Sequence, residues 1–116
     1  MLFGFSQTIW LYPHPIDFRK QMDGLIALVS DTLSKNPTSG QLFIFRSKSA
    51  KKIKMLWWDT NGFWLLYKRL EAGKLKFPRT DAGVLELSAA QLSWLLSGLD
   101  CLAHSALPRV NASAFY

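Results

Sequence analysis

The stretch Gln41–Pro78, QLFIFRSKSAKKIKMLWWDTNGFWLLYKRLEAGKLKFP, decides how this chain folds. Large apolar residues alternate with Lys and Arg in short runs, the pattern of strands with one face buried and one face wet. Gln41–Arg46, Lys52–Trp58 and Phe63–Leu70 read as three strands, with Lys48–Lys51 a polar, basic connection between the first two. Asn61-Gly62 is a strong hairpin signal, because both residues tolerate the positive φ that a tight two-residue turn demands. A turn centred there makes the second and third strands antiparallel neighbours. It sets Trp58 opposite Leu65, Leu56 opposite Tyr67 and Lys54 opposite Arg69.

That register sorts the side chains onto two faces. Ile53, Met55, Trp57, Trp64 and Leu66 form the expected core face, packed under a helix. Lys52, Lys54, Trp58, Tyr67 and Arg69 share the other, and Arg46 joins them if the connecting loop keeps the alternation. From Arg46 to Arg79 there are ten basic residues, Lys48, Lys51, Lys68, Lys74 and Lys76 among them, against the two acids Asp59 and Glu71. The segment therefore carries +8 of a chain whose net charge is +6, leaving −2 for the rest. Such an asymmetry is the electrostatic footprint of a polyanion binder, and it also serves plain solubility. Cations interleaved with rings suit nucleic acid, since phosphates are neutralised with counterion release and rings stack on unpaired bases. The same rings would equally form a second core face under another helix.

Upstream, Thr8–Tyr12 is a short strand closed by Pro13-His14-Pro15. Asp17 is placed to cap a helix in which Phe18, Met22, Leu25, Ile26, Val29 and Leu33 form one apolar stripe ending near Ser34. Arg19 and Lys20 then fall in a first turn whose dipole prefers acids, with Asp17 and Asp23 close enough to neutralise them. Gly24 inside the stripe suggests a close helix-to-sheet approach. Downstream, Lys74–Phe77 reads as a fourth strand stopped by Pro78, and Val84–Leu87 as a further short strand. Ser88 with Gln91 matches a capping box ahead of Leu92, Leu95, Leu96 and Leu99, with Gly98 near the stop. The expected fold is a single α+β domain over residues 1–100. It has an antiparallel sheet of about five to six strands, one long helix on one face and a second short helix near the C-terminus. Residues 101–116 lack periodicity and read as a loosely structured tail, with no place assigned to Phe115 and Tyr116.

Length and composition close off other classes. At 116 residues, 49% hydrophobic and 14% aromatic, the chain supports one core and is not disordered. No apolar run approaches the roughly 18 residues of a membrane span, and the start lacks the layout of a secretory signal, so a cytoplasmic location and no membrane contact are expected. Cys101 is alone, and with only His14 and His104 beside it no disulfide or structural zinc site is expected. The histidines lie in irregular segments, the glycines are isolated turn residues rather than a phosphate loop, and of the eight acids Asp17, Asp23, Asp31 and Glu71 sit where caps, helix surfaces and turns would put them. No catalytic residue, metal or cofactor is expected.

Four segments carry a family resemblance: Asp17–Leu25 (DFRKQMDGL), Leu42–Arg46 (LFIFR), Lys52–Asp59 (KIKMLWWD) and Tyr67–Gly73 (YKRLEAG). In this order they resemble the TnpB accessory proteins of the insertion sequence 66 family, which are unrelated to the RNA-guided nucleases that share those letters. The resemblance spans about residues 6–100. It departs after Gly98-Leu99-Asp100, where the family continues with Trp and a basic run and this chain reads Cys101-Leu102-Ala103-His104. It implies a non-catalytic role in transposition, with the element's DNA ends and its separate transposase as partners. On that reading the DNA-contacting set is Arg46, Lys48, Lys51, Lys52, Lys54, Tyr67, Lys68, Arg69, Lys74 and Lys76, with Arg19 and Lys20 as further basic residues of the motifs. A docking module for the transposase, using an exposed Trp and Leu patch, is the alternative.

Overall fold

Five strands form one sheet in the order β4-β3-β2-β1-β5, seen in a computed structural model that describes residues 7–102. The strands are β1 (Ile9–Pro15), β2 (Leu42–Arg46), β3 (Lys52–Asp59), β4 (Gly62–Arg69) and β5 (Leu85–Leu87). Helix α1 (Met22–Ala27) continues as a wider π-type turn over Leu28–Thr32, where the Leu33 amide reaches back five residues to the Leu28 carbonyl. Helix α2 spans Ala89–Leu96. The α+β class, the long first helix and the short second one agree with the sequence reading. The sheet is mixed rather than wholly antiparallel, because β1 and β2 run parallel with α1 as their crossover.

The β3–β4 hairpin shows how robust a strand pattern is. The two-residue turn is Thr60-Asn61, one position earlier than expected, so Asp59 faces Gly62, Lys54 faces Tyr67 and Lys52 faces Arg69. Moving the turn centre by one residue slides the partners by two, which leaves every side chain on its expected face. Thr60 sits at φ +55°, an unusual place for a β-branched residue.

Both faces are covered, and the helix lies on the face opposite to the one expected. Leu25 and Val29 of the first helix pack on Phe43, Phe45 and Leu56, the side of the sheet that also bears Lys52, Lys54 and Tyr67. Ile53, Met55 and Trp57 pack instead with Leu92 and Leu95 of α2, Leu75 and Cys101. Cys101 is fully buried in that core, Leu102 after it is exposed, and residues 103–116, Phe115 and Tyr116 included, lie outside the described residues. Trp58 is half-buried edge-to-face against Phe63, at 5.0 Å between ring centres.

Local chemistry accounts for the boundaries. Helix α1 begins five residues after Asp17, which instead folds a polar turn by accepting hydrogen bonds from the Arg19 backbone and side chain. Arg19 and Lys20 therefore precede the helix and do not oppose its dipole. A Cβ on Gly24 would meet the Lys20 side chain at 3.3 Å, not the sheet, so close helix-to-sheet approach is not what this glycine provides. Pro13 does not end β1, which runs on to Pro15. Both prolines lie where the register of β1 with β2 shifts and where β5, paired only with Ile9–Leu11, leaves that edge open. Lys74–Phe77 is no strand but an irregular segment hung on the 47–51 loop by a hydrogen bond from the Leu75 amide to the Ala50 carbonyl. Ser88 and Gln91 form the expected capping box, and α2 ends in paired bonds from the Gly98 amide to Leu95 and the Leu99 amide to Trp94, with Gly98 at φ +86°.

Candidate nucleic-acid interface

The basic residues divide between two places. The larger is an open cleft of about 650 Å³ at the end of β1 and β2, between the 47–51 loop and the 74–81 segment. Arg46, Lys48, Lys74, Lys76 and Arg79 line it, and Asp81 is the one acid on its walls. Two features of the backbone assemble these cations. The Leu75 amide bonds to Ala50 at 2.8 Å, and buried Leu75 anchors the segment so that Lys74 and Lys76 on either side of it turn outward. The cleft also contains His14, whose Nε2 lies 3.2 Å from the Ala82 carbonyl and so ties β1 to the opposite wall.

Arg46 belongs to this cleft and not to the face with Lys52. It pairs with Ile53 across β2–β3, so the loop changes the alternation. Its Nε donates to the Pro13 carbonyl at 2.6 Å and its guanidinium stacks 5.1 Å over Phe77. Partial burial lowers its pKa from the ordinary arginine value. Lys48 and Lys51 are exposed on the loop.

The second place is the α1 side of the β3–β4 hairpin. Lys54 is only 6% exposed, and its ammonium donates to the carbonyls of Phe18 at 2.8 Å and Lys20 at 2.7 Å. It is a structural clamp on the turn that presents Arg19 and Lys20, and burial lowers its pKa, with Lys52 adding to the effect. Lys52 is half-buried opposite Arg69, and Arg69 pairs with Glu71 at 2.8 Å. Arg19 pairs with Asp17 at 2.6 Å and holds its carboxyl down at about 2. Lys68 points to the other face, where its Nζ donates to the Leu96 carbonyl at the end of α2. Tyr67 is exposed. The single basic face of the sequence reading is thus two surfaces with Lys68 on neither. Arg79, absent from the expected set, was visible only as a charge next to Pro78.

Among the described residues no three His, Cys, Asp or Glu side chains converge as metal ligands, and no helix is long and apolar enough to cross a membrane. Fold and cleft define a small α+β domain, a sheet between two helices with a cation-lined opening at one end. The chain belongs to the IS66 Orf2-like family: the model described as "IS66 Orf2 like protein" matches residues 7–106. Among its relatives are the uncharacterized protein y4jC of Sinorhizobium fredii, 40% identical over 92 residues and 79% of either chain, and y4hO of the same organism, 37% identical over 97 residues and 84% of either chain. No solved structure matches.

Proposed function

We propose that this protein supports transposition of its element by binding DNA, with the cleft between the 47–51 loop and the 74–81 segment as the duplex-phosphate surface, acting in the bacterial cytoplasm. The observation that carries the reading is the convergence of Arg46, Lys48, Lys74, Lys76 and Arg79 on one open cleft beside a single acid. Cations so placed attract phosphates through counterion release, without reading sequence. Family membership supplies the context of transposition. The test is a salt-titrated mobility shift with blunt duplexes of element-end and unrelated sequence. Wild-type protein binds both at low salt, and Lys74→Glu with Lys76→Glu flattens the slope of log affinity against log salt by about 2. Absence of duplex binding at low salt, or a slope that the double variant leaves unchanged, overturns the reading.

A second reading, docking on the transposase of the same element, is favoured by the exposed side chains of Trp64 (44%), Leu99 (41%) and Leu102 (40%). It requires co-purification that survives high salt and nuclease, and loss of the complex under either treatment rejects it.

A further inference from the structure

A smaller recess of about 310 Å³ opens on the α1 side of the sheet, lined by Phe18, Gln21, Lys52, Lys54, Leu65 and Tyr67. Its chemistry differs from that of the cleft. The Phe18 and Tyr67 rings stand 6.2 Å apart at a tilt of 52°, and the Lys54 ammonium lies 4.8 Å from the first and 6.0 Å from the second. Both backbone partners of Lys54 are neutral carbonyls, and neither ion pair among the described residues includes it. A buried ammonium with no carboxylate bonded to it gives the floor of the recess a positive potential, which low local dielectric strengthens and the charge of Asp17 partly offsets. Lys52, on the same face, adds to it. The two acids in the neighbourhood, Asp17 and Glu71, are engaged by Arg19 and Arg69. Tyr67 is 55% exposed, an aromatic ring at the mouth of an anion-attracting recess.

We infer that this recess binds one unpaired nucleotide, its base stacked on Tyr67 and its phosphate held by Lys52 above the Lys54 floor. The inference rests on the DNA-binding reading above and adds where that DNA is single-stranded. A base inside a duplex already has both faces stacked, so only an unpaired base offers the free π-face that Tyr67 needs. Cleft and recess then act on different parts of one substrate: duplex on the first, a displaced or tailed strand on the second.

Fluorescence anisotropy on the full chain tests this with three probes: a blunt duplex, the same duplex with a short thymidine tail, and a free thymidine oligonucleotide. The tail should tighten binding about tenfold, within the worth of one base–aromatic stack. Tyr67→Ala should erase the difference between tailed and blunt duplex, and Tyr67→Phe, which keeps the ring, should retain it, with circular dichroism melts confirming that both variants fold. Equal affinity for the two duplexes in wild type, or a tail effect that survives Tyr67→Ala, overturns the inference while leaving duplex binding by the cleft intact. Binding of the free thymidine strand through Tyr67 with no blunt-duplex binding does the reverse. Failure of all three probes to bind, or capture of acidic peptides in their place, removes both.

Discussion

The ammonium of Lys54 donates to the backbone carbonyl of Lys20 at 2.7 Å, so the side chain of one lysine fixes the course of the chain at another. The same group holds Phe18 and thereby the whole polar turn ahead of α1. Lys54→Met keeps the stem length but leaves both carbonyls without their donor. Stability should fall by about 2 kcal/mol. A lower urea midpoint at unchanged m-value is the expected sign, and an unshifted midpoint would show the clamp to be energetically idle.

Asp17 gives a dependence on acid pH. Its folded pKa, about 2, lies below its ordinary 3.8 because the Arg19 side chain and backbone bond to it. A carboxyl whose folded pKa is depressed adds stability that is present above the unfolded value and lost as pH falls through the folded one. The contribution of Asp17 is therefore whole above about pH 4 and disappears toward pH 2. Carboxyl NMR titration of Asp17 should show the low midpoint, and Asp17→Asn should flatten the stability profile in that window.

The ends of α2 are set by Ser88 and Gly98. Ser88→Ala breaks the capping box and should cost about 1 kcal/mol. Gly98→Ala forces a Cβ into φ +86° and should cost a similar amount, about 1 kcal/mol. Chemical denaturation of the two single variants and the double variant checks both, with near-additive losses expected because the sites lie at opposite ends of the helix.

Thr60 is strained where Gly would not be. Thr60→Gly at the hairpin turn should raise stability by about 0.5–1 kcal/mol, read as a higher thermal midpoint. A fall in midpoint would mean that the Thr60 hydroxyl, bonded to Asp59 at 3.2 Å, outweighs the backbone strain.

Cys101 is enclosed, and burial raises its thiol pKa above the ordinary value. Native protein at neutral pH should react slowly with a thiol-specific disulfide reagent, and denatured protein promptly. Fast labelling of the native state would contradict its place in the core.

The strands, the capping box and the hairpin parity were legible because they are local: alternation, Ser88 with Gln91, and a turn whose displacement by one residue changes no face. The helix placement was not, because Phe43, Phe45 and Leu56 on one side are as apolar as Ile44, Met55 and Trp57 on the other, and periodicity cannot say which side a helix covers. Lys54 looked like every other strand lysine, since its partners at Phe18 and Lys20 are backbone carbonyls, which leave no sequence trace. Arg46 was misplaced for a similar reason, as the conformation of a five-residue loop decides the side on which β2 presents it. The cleft was illegible as a cleft, because Lys74 and Lys76 reach it through a backbone bond to Ala50 and not through strand pairing.

Strand β5 closes on β1 across more than half the chain. During synthesis the β2–β3–β4 meander can assemble as soon as it emerges, while β1 keeps one bare flank until Leu85–Leu87 have left the ribosome. A product cut short before that point would carry β1 as an open edge strand and an apolar wall stripped of α2, the profile of a chain that aggregates or is degraded.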